Sequence, residues 1–339
     1  PMHDRPIIVD GAFDSQNLAF WDSERGEYRA YWRFFDEGTK DQPYTGVRAI
    51  RTATSKDFIH WENFEDLTYR DSPREHLYTN QVRPYYRAPH LYIGFPTRYR
   101  ERGYLDKADA AHGDKLPGTH EELIGRWSET LRELPELDAR ILRAKSHERY
   151  GAAITEGLLM ASRDGVAFKR WNEAFLPPGV ERKGSWNYGH QYIGWHVVET
   201  ASELEGAPNE MSLYAGESYW TGKGSALRRY TLRVDGFVSV QASAAGGELL
   251  TKPIKFSGKE LSLNFATSAA GRVRIEIQDL AGKPFPGFAL DDAETLFGDT
   301  LDRVARWQHG SDVSALAGQP VRLRMVLEDA EVYSYQFQP

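Results

Sequence analysis

The 339-residue chain contains no cysteine, no long apolar run and no excess of basic charge. The absence of cysteine excludes disulfides, thiol catalysis and Cys-ligated zinc. No apolar stretch approaches the roughly 20 residues that a membrane-spanning helix needs. The net charge of −7 argues against nucleic acid as a partner, because surfaces that bind phosphate are basic. The chain is long enough for a substantial core, and we expect two domains.

Aromatic residues, in contrast, are plentiful: 9 Trp, 18 Tyr and 16 Phe make up 13% of the chain. Such enrichment favours an all-β fold and also suits a site that stacks on flat sugar faces. Two aromatic strands, NLAFW and EYRAYWRFF, flank a turn with Asp22 at its head and Gly26 at its end. Just before the first strand, residues 13–17 place Asp14 among hydrogen-bonding side chains. A functional site and a simple Asx-capped turn both fit this pattern.

A short motif occurs twice, as SKDFIHW at residues 55–61 and SRDGVAF at residues 162–168. In each copy an aspartate follows a serine by two positions, and a large aromatic residue follows four positions later. We interpret the motif as an internal repeat in which an aspartate-nucleated turn joins two strands of one propeller blade. Asp57 and Asp164 are therefore assigned to turns and not to a site.

Two changes in the pattern of apolar residues along the sequence indicate the domain organisation. Residues 103–150 carry apolar residues at helical spacing and few strand formers, which predicts a helical insertion. From residue 236 onward, short alternating strands separated by Gly, Ser and Asp turns are typical of a β-sandwich. We therefore predict a β-propeller domain at residues 1–235 and a C-terminal β-sandwich at residues 236–339.

The blade repeat and the strand entrance F-D-S-Q-N-x-x-F-W resemble those of five-bladed β-propeller glycoside hydrolases of the invertase, levansucrase and arabinanase type. The stabilising aspartate of that superfamily lies in a similar F-R-D-P-x-V-x-W context, which corresponds here to Phe13 and Asp14. From Gly11 onward the chain is also similar to uncharacterised bacterial glycosyl-hydrolase-like propellers with an appended β-sandwich. The resemblance implies a carbohydrate substrate and a periplasmic or extracellular location. It implies no cofactor, while leaving room for a structural calcium ion in the propeller.

The chain departs from this superfamily in length and in two motifs. Outside the helical insertion, residues 1–235 suffice for about three to four blades and not five. A tryptophan-asparagine-aspartate-type motif and a glutamate-cysteine pair, both typical of these enzymes, are absent. We therefore expect an N-terminal segment or a second chain to complete the propeller.

Glycoside hydrolysis uses one carboxyl group as an acid and a second that stays ionised as base or nucleophile. In a propeller the inner strand of each blade delivers residues to a central funnel, so carboxylates at the ends of apolar strands are candidates. Asp14 fits best, and Glu156 comes next. Glu199 and Glu217 follow, with a solvated strand end and an ion pair with Arg228 as the respective alternatives. We predict that Asp14, Glu156 and at least one of the other two converge on one funnel.

The candidate substrate-binding residues are polar or aromatic side chains near these strand ends. They are Gln16, Asn17, Trp21, Asn80, Gln81, Arg83, Tyr85, Arg87, Trp186, Tyr188, His190 and Trp220. Aromatic members are sugar platforms or, more commonly in proteins, core residues. Arg83, Arg87 and Arg98 are suited to an acidic or sulfated sugar. The histidines are not spaced as a metal triad, so we expect no catalytic metal.

The function that the sequence favours is glycoside hydrolysis by paired carboxylates. A non-catalytic carbohydrate-binding propeller, or an accessory subunit, is the alternative, since it would use the same aromatic residues without a matched carboxyl pair. A lyase or phosphorylase on the same scaffold is a third interpretation. The sequence leaves open whether the chain is an enzyme.

Overall fold

The computed structural model describes residues 4–105, 118–219 and 225–339, with Glu148 described by its backbone alone. The chain divides into two compact units, Pro1–Val197 with Leu213–Tyr230, and Val198–Ser212 with Thr231–Pro339. The domain boundary proposed from the sequence lies at residue 235, close to the last of these divisions. No helix in the described part of the chain is long and apolar enough to cross a membrane.

The first sheet is an antiparallel meander of four strands in the order in which they follow along the chain. Its strands are β1 (Leu18–Asp22), β2 (Glu27–Phe35), β3 (Arg48–Ser55) and β4 (Trp61–Asp66). In the β1–β2 turn, the Asp22 carboxylate accepts the backbone N–H groups of Glu24 and Arg25, and Gly26 adopts a φ of +61°. The aromatic hairpin predicted from the sequence is confirmed.

The second sheet contains five strands, in the order β5-β11-β10-β7-β6. Its strands are β5 (Thr68–Arg70), β6 (Arg83–Tyr85), β7 (Ala88–Gly94), β10 (Met160–Ser162) and β11 (Ala167–Arg170). The four strands β6, β7, β10 and β11 form an antiparallel meander, and β5 adds to β11 in parallel. Its core includes Tyr92, Met160 and Phe168.

The two copies of the serine–aspartate motif form the same turn. In each, the serine Oγ bonds the aspartate Oδ1, and that Oδ1 accepts two backbone N–H groups further along. These N–H groups belong to Ile59 and His60 after Asp57, and to Val166 and Ala167 after Asp164. The aromatic residues also correspond, because Trp61 pairs with Ser55 as Phe168 pairs with Ser162. The internal repeat is confirmed.

A two-stranded antiparallel ribbon, β8 (Thr97–Glu101) with β9 (Ala153–Gly157), carries the helical insertion. The helices between them are α1 (His120–Gly125), α2 (Glu129–Glu133), α3 (Leu137–Ser146) and α4 (Glu148–Ala152). A capping box between Thr119 and Glu122 starts α1. Leu123, Trp127 and Leu131 are buried in a local core. The predicted helical insertion is confirmed, although residues 106–117 of it lie outside the described residues.

In the third sheet, one strand pairs with all the others. These strands are β12 (Tyr192–Ile193), β13 (Val198–Thr200), β14 (Glu210–Glu217) and β15 (Ala226–Arg233), and β14 is the shared partner. Together with the two meanders, this sheet gives the all-β fold class that the sequence predicts. The helical insertion is the one large departure from strand structure in the described part of this unit.

The C-terminal strands join in one sheet of five strands. They are β16 (Val240–Ala242), β17 (Gly247–Leu250), β18 (Glu260–Gln278), β19 (Asp299–Val304) and β20 (Arg322–Gln338). The sequence predicts separate short strands at 260–267 and 272–279, and the structure joins them in β18. Residues 268–271 are skipped in the ladder with β20, so the expected turn is a bulge instead. Leu263, Phe265 and Trp307 lie in the core of this sheet, and the β-sandwich remains a prediction.

Candidate functional site

The β8–β9 ribbon has two chemically different faces. Pairing places Arg98 opposite Glu156 and Tyr99 opposite Thr155. Because successive side chains of a strand project to opposite faces, Arg98 and Glu156 share one face and Tyr99 and Thr155 share the other. The first face also carries Arg100, two positions beyond Arg98. It is therefore the charged face of the ribbon.

A cleft of about 410 Å³ lies against this charged face. It is lined by Pro73, Glu75, Arg98, Arg100, Arg102, Ile154, Glu156, Pro178 and Trp186. Three arginines from consecutive same-face positions, two carboxylates and one indole therefore surround a single cavity. Of the residues proposed from the sequence, the cleft brings together Glu156, Trp186 and Arg98.

Arg98 holds both carboxylates of the cleft. Its Nη2 lies 2.6 Å from Glu156 Oε1, and its Nη1 lies 3.6 Å from Glu75 Oε1. In inverting glycosidases the two catalytic carboxyl groups are up to about 9.5 Å apart. Two carboxylates that contact the same guanidinium group cannot be farther apart than that. The pair is thus spaced closely enough to flank one glycosidic bond.

The two carboxylates differ in their surroundings. Glu75 is 6% exposed and also lies 2.9 Å from Nη2 of Arg170, which is 1% exposed. Glu156 is 23% exposed and has Arg98 as its arginine partner. Glu75 is therefore the more buried carboxylate and Glu156 the more exposed one, and both line the cleft. Sequence reasoning missed Glu75, because it precedes an irregular segment without an apolar strand beside it.

The indole of Trp186 is held in place from two sides. Its Nε1–H donates to the carbonyl of Gly179 at 2.7 Å, and its own backbone has a φ of +56°, in the left-handed region. The carbonyl of Trp186 accepts a hydrogen bond from Nη2 of Arg140 on α3. The Arg140 side chain also donates from Nη1 to the carbonyl of Gly151 at 2.8 Å. The helical insertion thereby fixes the backbone that carries the cleft's aromatic wall.

Arg140 is a positioning residue that sequence reasoning missed. It is fully buried, and burial together with the nearby Arg143 lowers its pKa to about 10. Arg143, also buried, donates to the carbonyl of Tyr219. Two arginines three positions apart on the inward side of a short helix are the signal in the sequence. A charge at such a position is costly unless backbone carbonyls satisfy it.

Asp14 does not line the cleft. Its carboxylate accepts a hydrogen bond from Arg33, whose side chain is 3% exposed, whereas Asp14 itself is 60% exposed. Asn17 closes the adjoining turn by donating to the carbonyls of Phe13 and Ser15 at 3.1 and 2.9 Å. The contacts at this strand entrance are those of a local turn and an ion pair. The predicted meeting of Asp14 with Glu156 is therefore not seen in the cleft.

Glu217 is a buried carboxylate paired with two partly exposed arginines. Its Oε1 accepts from Arg228 Nε at 2.7 Å, from Tyr230 Oη at 3.2 Å and from Arg182. Burial opposes ionisation, but the hydrogen bonds from Arg228 and Arg182 prevail and lower the pKa of Glu217 to about 2. The ion pair with Arg228, the structural alternative to a catalytic role, is confirmed.

Glu199 is exposed on β13, as a solvated strand end would be. Its carboxylate accepts a hydrogen bond from Asn209 Nδ2 at 3.0 Å. Glu199 belongs to the unit that contains the C-terminal sheet, whereas Glu156 belongs to the other. A catalytic role for Glu199 stays a prediction.

The polar residues proposed from the segment 79–87 have mostly structural contacts. Asn80 and Gln81 are buried; Asn80 Oδ1 accepts the N–H of Val82 at 3.1 Å, and Gln81 donates to the carbonyl of Ile193. Arg83 is exposed and lies 5.2 Å above the ring of Trp195. Tyr85 is buried against other rings, and Arg87 is exposed. None of these residues lines the described cleft.

Tyr188 belongs to a cluster of tyrosines on the interior side of the ribbon. Its hydroxyl lies 2.8 Å from that of Tyr78, and its ring stacks on Tyr150 with centroids 4.4 Å apart. Tyr99, Tyr192 and Tyr219 complete the cluster. Burial and the neighbouring tyrosines raise the pKa of Tyr188 far above its usual value, so it remains a neutral packing group. Tyr188 as a sugar platform stays a prediction.

The remaining proposed residues are dispersed. Trp21 is 51% exposed and packs edge-on against Tyr28. The Gln16 side-chain oxygen is buried, and it has no hydrogen-bond partner among the described residues. His190 is fully buried beside the carbonyl of Pro178, and burial lowers its pKa. Trp220 lies outside the described residues. In the described part of the chain, no three His, Asp or Glu side chains gather as a metal site.

No protein-family model and no curated protein matches the chain. Solved structures give remote matches. An N-acetylgalactosamine deacetylase from F. plautii aligns with 59% of the chain at 11% identity and a TM-score of 0.32. An arabinoxylan arabinofuranohydrolase of glycoside hydrolase family 43 from Bacillus subtilis aligns with 95% at 11% identity and a TM-score of 0.22. The Bombyx mori family 32 β-fructofuranosidase aligns with 92% at 9% identity and a TM-score of 0.25.

The chain covers 39% of the deacetylase, 66% of the arabinofuranohydrolase and 89% of the fructofuranosidase. The TM-score of each of these matches is below 0.5. They carry no argument about its function, which rests on the side chains described above.

Proposed function

We propose that the chain is a glycoside hydrolase whose substrate binds in the cleft on the charged face of the β8–β9 ribbon. One observation carries the proposal: Glu75 and Glu156 contact the same guanidinium group in a cavity walled by Trp186. Paired carboxylates at this spacing are the chemical requirement for glycoside hydrolysis. An indole face is a suitable platform for the apolar face of a sugar ring.

The surroundings of the two carboxylates support different proposed roles. Glu75 contacts two arginines and is nearly buried, which suits the role that needs a permanent negative charge beside an oxocarbenium-like transition state. Glu156 is the more exposed carboxylate and has one arginine partner, which suits proton transfer to or from the substrate. Arg98 between them keeps the two carboxylates apart and screens their repulsion.

The experiment is hydrolysis of a panel of aryl glycosides and oligosaccharides by the wild-type chain and by Glu156→Gln. The proposal expects release of product from at least one substrate and its loss in the variant, with the melting temperature preserved. Glu65→Gln is the matched control, because it removes an exposed carboxylate of β4 that does not line the cleft. Equal turnover in wild type and Glu156→Gln contradicts the assignment.

A non-catalytic carbohydrate-binding protein is the second candidate. It is favoured by the fact that both cleft carboxylates already contact arginine, as in a structural ion-pair network. Calorimetry distinguishes the two, since a binding protein retains affinity for an oligosaccharide that it leaves intact after long incubation. Full hydrolysis of a bound oligosaccharide rules this candidate out.

We further propose that the reaction needs no metal and that the protein works in the periplasm or outside the cell. A chelator should leave turnover unchanged, apart from stability that a structural calcium ion contributes. The proposal that another segment or a second chain completes the propeller is tested by the mass of the active species in solution.

A further inference from the structure

We infer that the cleft binds a glycan with negatively charged substituents, and that Arg100 and Arg102 are the residues that recognise them. This inference rests on the proposed binding cleft, although not on hydrolysis. Carboxylates of uronic acids and sulfate esters share the relevant chemistry, because arginine binds either through two parallel hydrogen bonds.

The arginines of the cleft differ in how many hydrogen-bond and ion-pair partners they have. Arg98 donates to Glu156 at 2.8 Å and to the carbonyl of Asn172 at 2.7 Å, and it also contacts Glu75. Arg100 and Arg102 are exposed, and among the described residues no carboxylate pairs with either of them. Their backbone positions are fixed by the ribbon, since Arg100 pairs with Ile154 and the N–H of Arg102 donates to the carbonyl of Ala152 at 3.0 Å. Arg100 in β8 and Arg102 just after it are therefore two exposed arginines at the edge of the cleft whose backbone is held by pairing with the neighbouring segment.

The charge of the cleft is opposite to that of the whole chain. Its lining contains three arginines and two glutamates, and Arg170 lies directly behind Glu75. The chain as a whole carries a net charge of −7. A local excess of positive charge on an acidic protein attracts anions to this place and repels them elsewhere.

The spacing of these arginines suits a polymer. Residues two apart on one face of a strand are about 6.6–6.8 Å apart along it. Guanidinium groups at that spacing reach either one multivalent anion or substituents on adjacent sugar units. A neutral glycan would offer both arginines only hydroxyl oxygens, which bind a guanidinium group less strongly than anionic oxygens do.

The test is calorimetric titration of the full chain with three oligosaccharides of equal length: oligogalacturonate, a heparin oligosaccharide and a neutral xylo-oligosaccharide. We expect at least tenfold tighter binding of one anionic ligand than of the neutral one, and weakening as sodium chloride rises from 50 to 500 mM, because salt screens exposed charges. The carboxylated and sulfated ligands separate the two sources of anion. The variant Arg100→Gln/Arg102→Gln should lose at least tenfold in affinity for the anionic ligand.

The control is Arg303→Gln/Arg306→Gln, which removes two exposed arginines of the C-terminal unit. It should bind like wild type, and thermal unfolding checks that both double variants are folded. Equal affinity for neutral and anionic ligands, no binding of any ligand, or unchanged binding by Arg100→Gln/Arg102→Gln overturns the inference. Arginine-dependent binding without hydrolysis supports it and counts against the proposed hydrolase function alone.

Discussion

Glu156 and Glu217 come from the same pattern in the sequence, a glutamate at the end or within an apolar strand, yet they occupy opposite kinds of site. Glu217 is one carboxylate surrounded by two arginines and a tyrosine, and its side chain is 3% exposed. Glu156 shares one arginine with a second carboxylate and faces a cleft. An ion pair with arginine therefore occurs both at a carboxylate that lines the cleft and at one that does not. Glu217 carries one negative charge against two arginines and lies outside the cleft lining, whereas Glu75 and Glu156 share Arg98 inside it.

The largest expected difference concerns catalysis. Glu156→Gln should lower turnover by roughly 10²–10⁴-fold, the usual contribution of a positioned acid or base. Glu217→Gln should retain turnover as long as it is folded. The measurement is kcat on whichever substrate responds in the panel, at a temperature well below unfolding. Similar loss of kcat in both variants would break the comparison.

Stability should show the reverse order. Glu217→Gln leaves Arg182 and Arg228 around a neutral amide, and we expect the free energy of unfolding to fall by about 3 kcal/mol at pH 7. For Glu156→Gln the free energy of unfolding should fall by less than about 1 kcal/mol, because Arg98 keeps its contact with Glu75. Urea denaturation of both variants measures the difference. A larger loss for Glu156→Gln would make that carboxylate structural.

The pH dependence of stability sharpens the same contrast. The folded pKa of Glu217, about 2, lies below the unfolded value of about 4.3, so its contribution is present above pH 4.3 and disappears as the pH falls toward 2. The gap between wild type and Glu217→Gln should therefore close over this interval. His196 affects stability at a higher pH. Burial lowers its pKa to about 4, so the folded state loses stability as the pH falls from about 6.5 to 4.

Chemical denaturation at pH 7, 5, 4 and 3 resolves the two windows. His196→Asn should reduce the loss between pH 6.5 and 4 while leaving the lower window intact, and His190, whose pKa burial also lowers, should account for part of the remaining loss. A constant difference between wild type and Glu217→Gln down to pH 2.5 would contradict the assigned ion pairs.

The smallest expected effect concerns the wall of the cleft. Arg140→Met leaves the carbonyls of Trp186 and Gly151 without their donor, and we expect ligand affinity to fall about three- to tenfold with kcat nearly unchanged. Arg140→Lys should restore part of the loss. A purely structural role predicts instead a lower melting temperature with unaltered KM in the molecules that remain folded.

Much of the fold was accessible from the sequence because its signals are local. The serine–aspartate turns are made by side chains that bond their own backbone within a few residues, so the motif is sufficient to specify them. The helical insertion likewise follows from apolar spacing. The fusion of two predicted strands in β18 was not accessible, since it depends on pairing with β20, far along the chain.

The candidate site was only partly accessible for the same reason. Glu156 and Trp186 were identified from the sequence, but Glu75 and Arg140 gain their roles from partners distant in sequence. Asp14 was predicted to be a site residue because polar side chains surround it in the sequence. One of these neighbours, Asn17, closes a turn in the structure. A cluster of polar residues in a sequence does not distinguish a turn from a site, because both need hydrogen-bond partners.

The two ends of the helical insertion are adjacent, because Glu101 pairs with Ala153 across the ribbon. A segment with adjoining ends is exchangeable in evolution or by engineering, because loop length adds little to the cost of closing the chain. This segment also begins with Arg102 and contains Arg140, which supports Trp186. Replacing it would alter both the charge and the wall of the cleft while leaving Glu75 and Glu156 in place. The insertion therefore carries one residue that lines the cleft and another that supports its aromatic wall, whereas Glu75 and Glu156 lie outside it.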